Sequence, residues 1–126
     1  MKLVSFQVRT PVGTFTRIGA LHNASIVDLN MAQARRLTDQ GETQPRRLAD
    51  AQVPATMLEF LEGGPAATDA ARRAFDYAVG HGSSIAGPAG ETIFYDPASV
   101  RLTAPLPNPS SLRDFIAFEE HIAATS

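Results

Sequence analysis

The sequence predicts an α+β fold: a small antiparallel β-meander carrying three short helices. Three observations predict it. The first thirty residues alternate between apolar and polar side chains in short runs. The links between those runs are too short for a parallel crossover. After Asn30 the apolar spacing changes from two to about three and a half.

In order, Lys2 to Arg9 alternates, with Val4, Phe6 and Val8 on one side and Ser5, Gln7 and Arg9 on the other, the pattern of a half-buried strand. Pro11-Val12-Gly13 turns the chain into a second strand over Thr14 to Leu21. His22-Asn23-Ala24 turns it again into a third over Ser25 to Leu29. Asn30 is expected to cap a first helix carrying Met31, Ala34 and Leu37 and ending at Gly41. Gly41 to Gln52 is poor in apolar residues and has a central proline, so it is expected to be an exposed loop. Pro54 opens the second helix, with Met57, Leu58 and Leu61 on one face and Gly63-Gly64 as its stop. The third helix is expected from near Thr68, with Ala71, Ala74, Phe75, Ala78 and Val79 as its apolar stripe. Strand character returns at Glu91 to Tyr95 and at Val100 to Leu106. Pro105, Pro107 and Pro109 then give an extended connector before a C-terminal helical segment.

Composition narrows the function classes. At 126 residues the chain suits one domain with a core of its own. Eleven basic against thirteen acidic residues leave a net charge of −2, which disfavours nucleic acid and anionic membrane as partners. The absence of cysteine removes disulfides, thiolate metal sites and a cysteine nucleophile. The amino terminus lacks the apolar core of a signal peptide, and no apolar run is long enough to span a bilayer, so a cytoplasmic protein is expected. Gly80 to Gly90 is glycine-rich but lacks the lysine and spacing of a phosphate-binding loop and reads as a plain loop. His22 reads as a solvated turn residue and His81 as a helix cap. The arginine pairs at 35–36, 46–47 and 72–73 read as solvated faces.

Titratable chemistry concentrates in Ser111 to Ser126. Ser111-x-x-Asp114 fits a capping box, in which Asp114 satisfies backbone donors, His121 sits at the negative helix end and Glu119-Glu120 form an acidic edge. Alternatively, Asp114 and His121 share a helical face two turns apart, a rise of roughly 10 Å. They could then flank a substrate, one carboxylate on a hard metal and one imidazole as base, with Phe118 between. Glu119 falls among Leu112, Phe115 and Ile122, where burial would raise its proton affinity or oblige it to pair.

The run from Pro107 to His121, P-L-P-N-P-S-S-L-R-D-F-I-A-F-E-E-H, resembles the start of the catalytic domain in bacterial members of the fumarylacetoacetate hydrolase family. The opening M-K-L-V-S-F, the R-I-G-A-L of Arg17 to Leu21, the I-V-D-L of Ile26 to Leu29 and the run Val53 to Gly64 are similar to the family's small N-terminal domain. The resemblance implies a metal-dependent enzyme that hydrolyses carbon–carbon bonds in β-diketone or 2-oxo acid substrates, or a related decarboxylase or dehydratase. It implies Mg²⁺, Mn²⁺ or Ca²⁺ held first by Asp114, with His121 helping to activate water and Phe115 and Ile116 beside the substrate. Ile116 stands where the family commonly has a tyrosine, and an isoleucine donates no hydrogen bond.

The family's E-x-E metal ligands and a later aspartate are not in this sequence, which contains no E-x-E at all. The expected organisation is an N-terminal domain over residues 1–104, a connector over 105–110 and the start of a truncated catalytic domain over 111–126. The implied partners are a downstream catalytic domain, a small oxo-acid substrate and a second copy in a homodimer. The isolated chain is expected to be inactive and to bind no metal tightly. The competing expectation is a non-catalytic binding or assembly module that packs on a partner catalytic domain.

Overall fold

In the computed structural model, residues 2–103 are described; the connector at 105–110 and the segment at 111–126 lie outside them. The described chain is α+β. Strands β1 (Lys2–Thr10), β2 (Gly13–His22) and β3 (Ser25–Asp28) form the expected antiparallel meander. Helices α1 (Leu29–Asp39), α2 (Pro45–Gln52), α3 (Met57–Glu62) and α4 (Gly64–His81) follow. β4 (Phe94–Tyr95) and β5 (Arg101–Thr103) then join opposite edges, giving the order β4-β3-β2-β1-β5.

The sheet is curled. Four strand spacings of about 4.8 Å would put the two edges of a flat sheet about 19 Å apart. Yet β4 and β5 are joined by a short link containing one 3₁₀ turn, Pro97–Ser99. The Phe6 ring of β1 reaches the Tyr95 ring of β4, with centroids 5.3 Å apart. Gly19, on the strand between, makes this possible. A β-carbon there would lie 2.6 Å from Ile26 Cγ2 and 2.8 Å from Phe6 Cε1, so only glycine lets these side chains close over the sheet.

The opposite face meets the helices. Register places Leu3 opposite Ala20 and Ser5 opposite Ile18. The core there joins Leu3, Ile18 and Ala20 to Leu29, Val53, Met57, Phe60, Ala67 and Ala71. The alternation of β1 therefore buries both faces: Leu3 and Ser5 lie under the helices, and Phe6 lies within the curl. α1 packs against β2, β3, α2 and α4, and its residues from Leu29 to Ala34 are all buried. A second cluster, including Val27, Met31, Ala74, Ala78, Ile85 and Ile93, closes the other end.

Several elements depart from expectation. Among the described residues four α-helices form instead of three, one of them 18 residues long. The segment expected as a loop contains α2, because Pro45 stands at its first turn, where the missing N–H costs nothing. One buried residue, Ala49, and one half-buried residue, Leu48, are enough to hold that helix to the surface. α3 begins at Met57 rather than at Pro54. α4 begins at Gly64, whose φ of 63° turns the chain straight from one helix into the next. α1 is capped by Asp28, not Asn30: the Asp28 carboxylate accepts the Met31 N–H at 3.0 Å. β4 is shorter than expected, with only an isolated Ala86–Thr92 bridge before it, and β5 starts at Arg101. No helix among the described residues is long and apolar enough to cross a membrane.

Candidate functional site

The sequence-predicted site residues Asp114, Phe115, Ile116, Glu119 and His121 lie outside the described residues. The described body has titratable groups of its own, and their arrangement decides what it can do chemically.

The most buried of them sit where the curl meets the start of α1. Gly19 faces Asp28 across the β2–β3 pair, which puts Arg17 one diagonal away. The Arg17 guanidinium grips the Asp28 carboxylate through both Nε and Nη2, and Nη2 also donates to Asn30 Oδ1 at 2.8 Å. Asn30 Nδ2 in turn donates to the Val53 carbonyl at 2.8 Å and to Asp50 Oδ1 at 3.1 Å. One chain of contacts thus ties β2, β3, α1 and the end of α2 together. Burial pushes the Asp28 carboxyl up from its ordinary value, and Arg17 and the backbone N–H groups of Met31 and Asn30 pull against it. Burial opposes the charge on Arg17, but Asp28 outweighs it and holds the guanidinium above its ordinary value. The Tyr95 phenol is raised by burial and then by Asp28, so this charge is felt inside the curl.

A sequence reading that looked for histidine and repeated carboxylates missed this network. Its signal was two opposite charges, Arg17 and Asp28, each inside an apolar strand run, either side of a tight turn at Asn23, where φ is 54°.

A second group lies on the surface between α1 and α4. The Tyr77 hydroxyl donates to Asp39, and Arg35 Nε is 3.1 Å from each Asp39 oxygen. Arg35 also donates to the Ala86 carbonyl at 2.8 Å, so this half-buried arginine fastens the glycine-rich loop to α1 instead of lying on a solvated face. The Tyr77 hydrogen bond, followed by Arg35, holds the Asp39 carboxyl below its ordinary value; the same bond raises the Tyr77 phenol. A depressed folded value contributes stability above the ordinary carboxylate pKa and loses it as pH falls through the lower one. In a carboxyl NMR titration Asp39 is expected to be the low outlier and to move back up in Tyr77→Phe. An unmoved Asp39 in that variant would contradict the contact.

The two described histidines play packing roles. His22 is half-buried, with its ring edge-on to Phe75 at 5.9 Å, so it is not simply a solvated turn residue. His81 ends α4, one ring nitrogen 2.8 Å from the Tyr77 carbonyl, as expected of a helix cap. Glu91 Oε1 accepts the Ala89 N–H at 2.7 Å. Its buried Oε2 lies 3.4 Å from Arg46 Nη1, close enough to pair electrostatically but without hydrogen-bond alignment.

A concavity of about 550 Å³ lies among α1, α2 and α4. Gln33, hydrogen-bonded to Gln52 at 2.6 Å, lines it with Arg36, Glu42, Asp69 and Arg73. Its charges are mixed in sign, and Arg73 is already paired with Asp69.

No family model, curated protein or solved structure matches the chain.

A hard divalent cation takes six or more oxygen ligands. Among the described residues no group of three or more histidine, cysteine, aspartate or glutamate side chains stands close enough to hold one. Residues 2–103 therefore offer no fit for the metal that the sequence resemblance implies, and no chemical step is assigned to it there.

Proposed function

We propose that this chain is the N-terminal part of a metal-dependent enzyme of the fumarylacetoacetate hydrolase type, with residues 2–103 as its non-catalytic body. The reading rests on the segment resemblance, above all the Pro107–His121 run that follows β5. The observation that favours a non-catalytic body is the pairing of its buried charges with one another. The Arg17–Asp28–Asn30 network spends its hydrogen-bonding capacity on holding β2, α1 and the end of α2 in place. A reacting group would need a free face toward a substrate.

On this reading the chemistry belongs to Asp114 and His121, joined by carboxylates from a domain that follows. His121 takes the proton of a water that attacks a substrate carbonyl carbon, and the carbon–carbon bond breaks to leave a carboxylic acid and an enolate that then takes a proton. The 126-residue chain by itself is expected not to turn over an acylpyruvate in the presence of Mg²⁺, as followed by loss of its enol absorbance. Turnover above the buffer rate would overturn the division of labour between body and following domain.

A related reading, a module that packs on a partner catalytic domain, is favoured by three exposed apolar side chains. Val12 is 84% exposed, Phe15 48% and Leu102 53%, at the β1–β2 hairpin and the β5 edge.

A further inference from the structure

We propose that the β1–β2 hairpin end of the sheet carries an oxyanion-binding site built on Arg9 and Arg101. It would take a compact dianion, a phosphate or a small dicarboxylate.

The register makes the site. Arg9 stands opposite Thr14 in the β1–β2 pair, and Gln7 stands opposite Arg101 in the β1–β5 pair. Side chains two apart on a strand share a face, so Gln7, Arg9, Thr14 and Arg101 lie on one face, with the two arginines as diagonal neighbours. They line a cavity of about 340 Å³, closed by Ser99 and Val100 of the link into β5. That volume suits a small ligand.

The charges in this cavity are unbalanced. No carboxylate lines it. Elsewhere in the body Arg17, Arg35, Arg46 and Arg73 each stand against a carboxylate, at Asp28, Asp39, Glu91 and Asp69. Among the described residues, neither Arg9 nor Arg101 has such a partner. The nearby Asp96 does not line the cavity, and its carboxylate accepts the Ala98 N–H at 3.0 Å. Two like charges on neighbouring strands repel, and an anion between them converts that repulsion into attraction. Two guanidinium forks meet an oxyanion with parallel hydrogen bonds. The Gln7 amide and the Thr14 hydroxyl add donors beside them, whereas the Ser99 hydroxyl is already given to the Asp96 carbonyl at 2.7 Å.

The test is an amide NMR titration of the whole 126-residue chain with inorganic phosphate and, separately, with succinate, at constant ionic strength. Saturable shifts are expected at residues 7–9, 14 and 99–101. Affinity should fall about tenfold or more in Arg9→Gln and in Arg101→Gln, as loss of a charge-assisted contact implies. It should be unchanged in Arg47→Gln, an exposed arginine on α2. All three positions are exposed, and unchanged core amide signals will confirm that each variant is folded. Phosphate binding alone assigns the site to phosphate, succinate alone to dicarboxylates, and both to either source. Shifts that do not saturate with either anion, or that weaken equally in Arg47→Gln, would overturn the proposal.

Discussion

Asp28→Ala is expected to destabilise the described body by about 3–5 kcal/mol, the cost of leaving one partner of a buried ion pair without the other. The carboxylate is only 1% exposed, and three things end with it: the grip on Arg17, the anchor that presents Arg17 to Asn30, and the cap on the Met31 N–H. Loss of the cap alone would cost about 1 kcal/mol. The contributions share partners and will not simply add. Against a total stability of about 5–15 kcal/mol, the variant should melt far below the parent protein.

Arg17→Met tests the same pair from the other side, and its pH dependence has a definite sign. Burial already pushes Asp28 upward, and without Arg17 only the Met31 and Asn30 N–H groups pull against it, so the carboxyl is expected to take a proton more readily in the folded state. A raised folded value contributes stability below the unfolded pKa and loses it as pH rises. The destabilisation of Arg17→Met should therefore be smaller at acid pH than at neutral pH. Denaturant unfolding at two pH values measures it, and a loss that does not depend on pH would show that Asp28 remains charged without its partner.

How much of this was legible beforehand follows from what each signal depends on. The meander could be read because its turns are local, and residues 11–12 and 23–24 are too few to do anything else. The curl could not, since it depends on Phe6, Gly19, Ile26 and Tyr95 meeting from four strands, contacts that no window of sequence contains. α2 was missed because its helical face is little more than Leu48 and Ala49, too narrow to register as a period. The cap on α1 was placed two residues late because Asn30 and Asp28 are both good capping residues. What separates them is tertiary: Arg17 claims the Asn30 Oδ1 that a cap would use, while Val53 and Asp50 hold its Nδ2.

Of the candidate catalytic side, the sequence offered residue types and spacing at Asp114 and His121, which lie outside the described residues. The Arg9–Arg101 pair was invisible to any spacing rule, since ninety-two positions separate its members and only the β1–β5 register brings them to one face.

On the reading proposed above, residues 2–103 supply architecture and the chemistry lies at Asp114 and His121. It is tested most directly by acylpyruvate turnover in a longer protein that carries the catalytic domain this reading requires, compared with its His121→Ala variant. His121→Ala is expected to lower kcat by about 10²–10⁴-fold, the usual contribution of a general base, with melting temperature unchanged. A His121→Ala enzyme that turns over at the parent rate would contradict it.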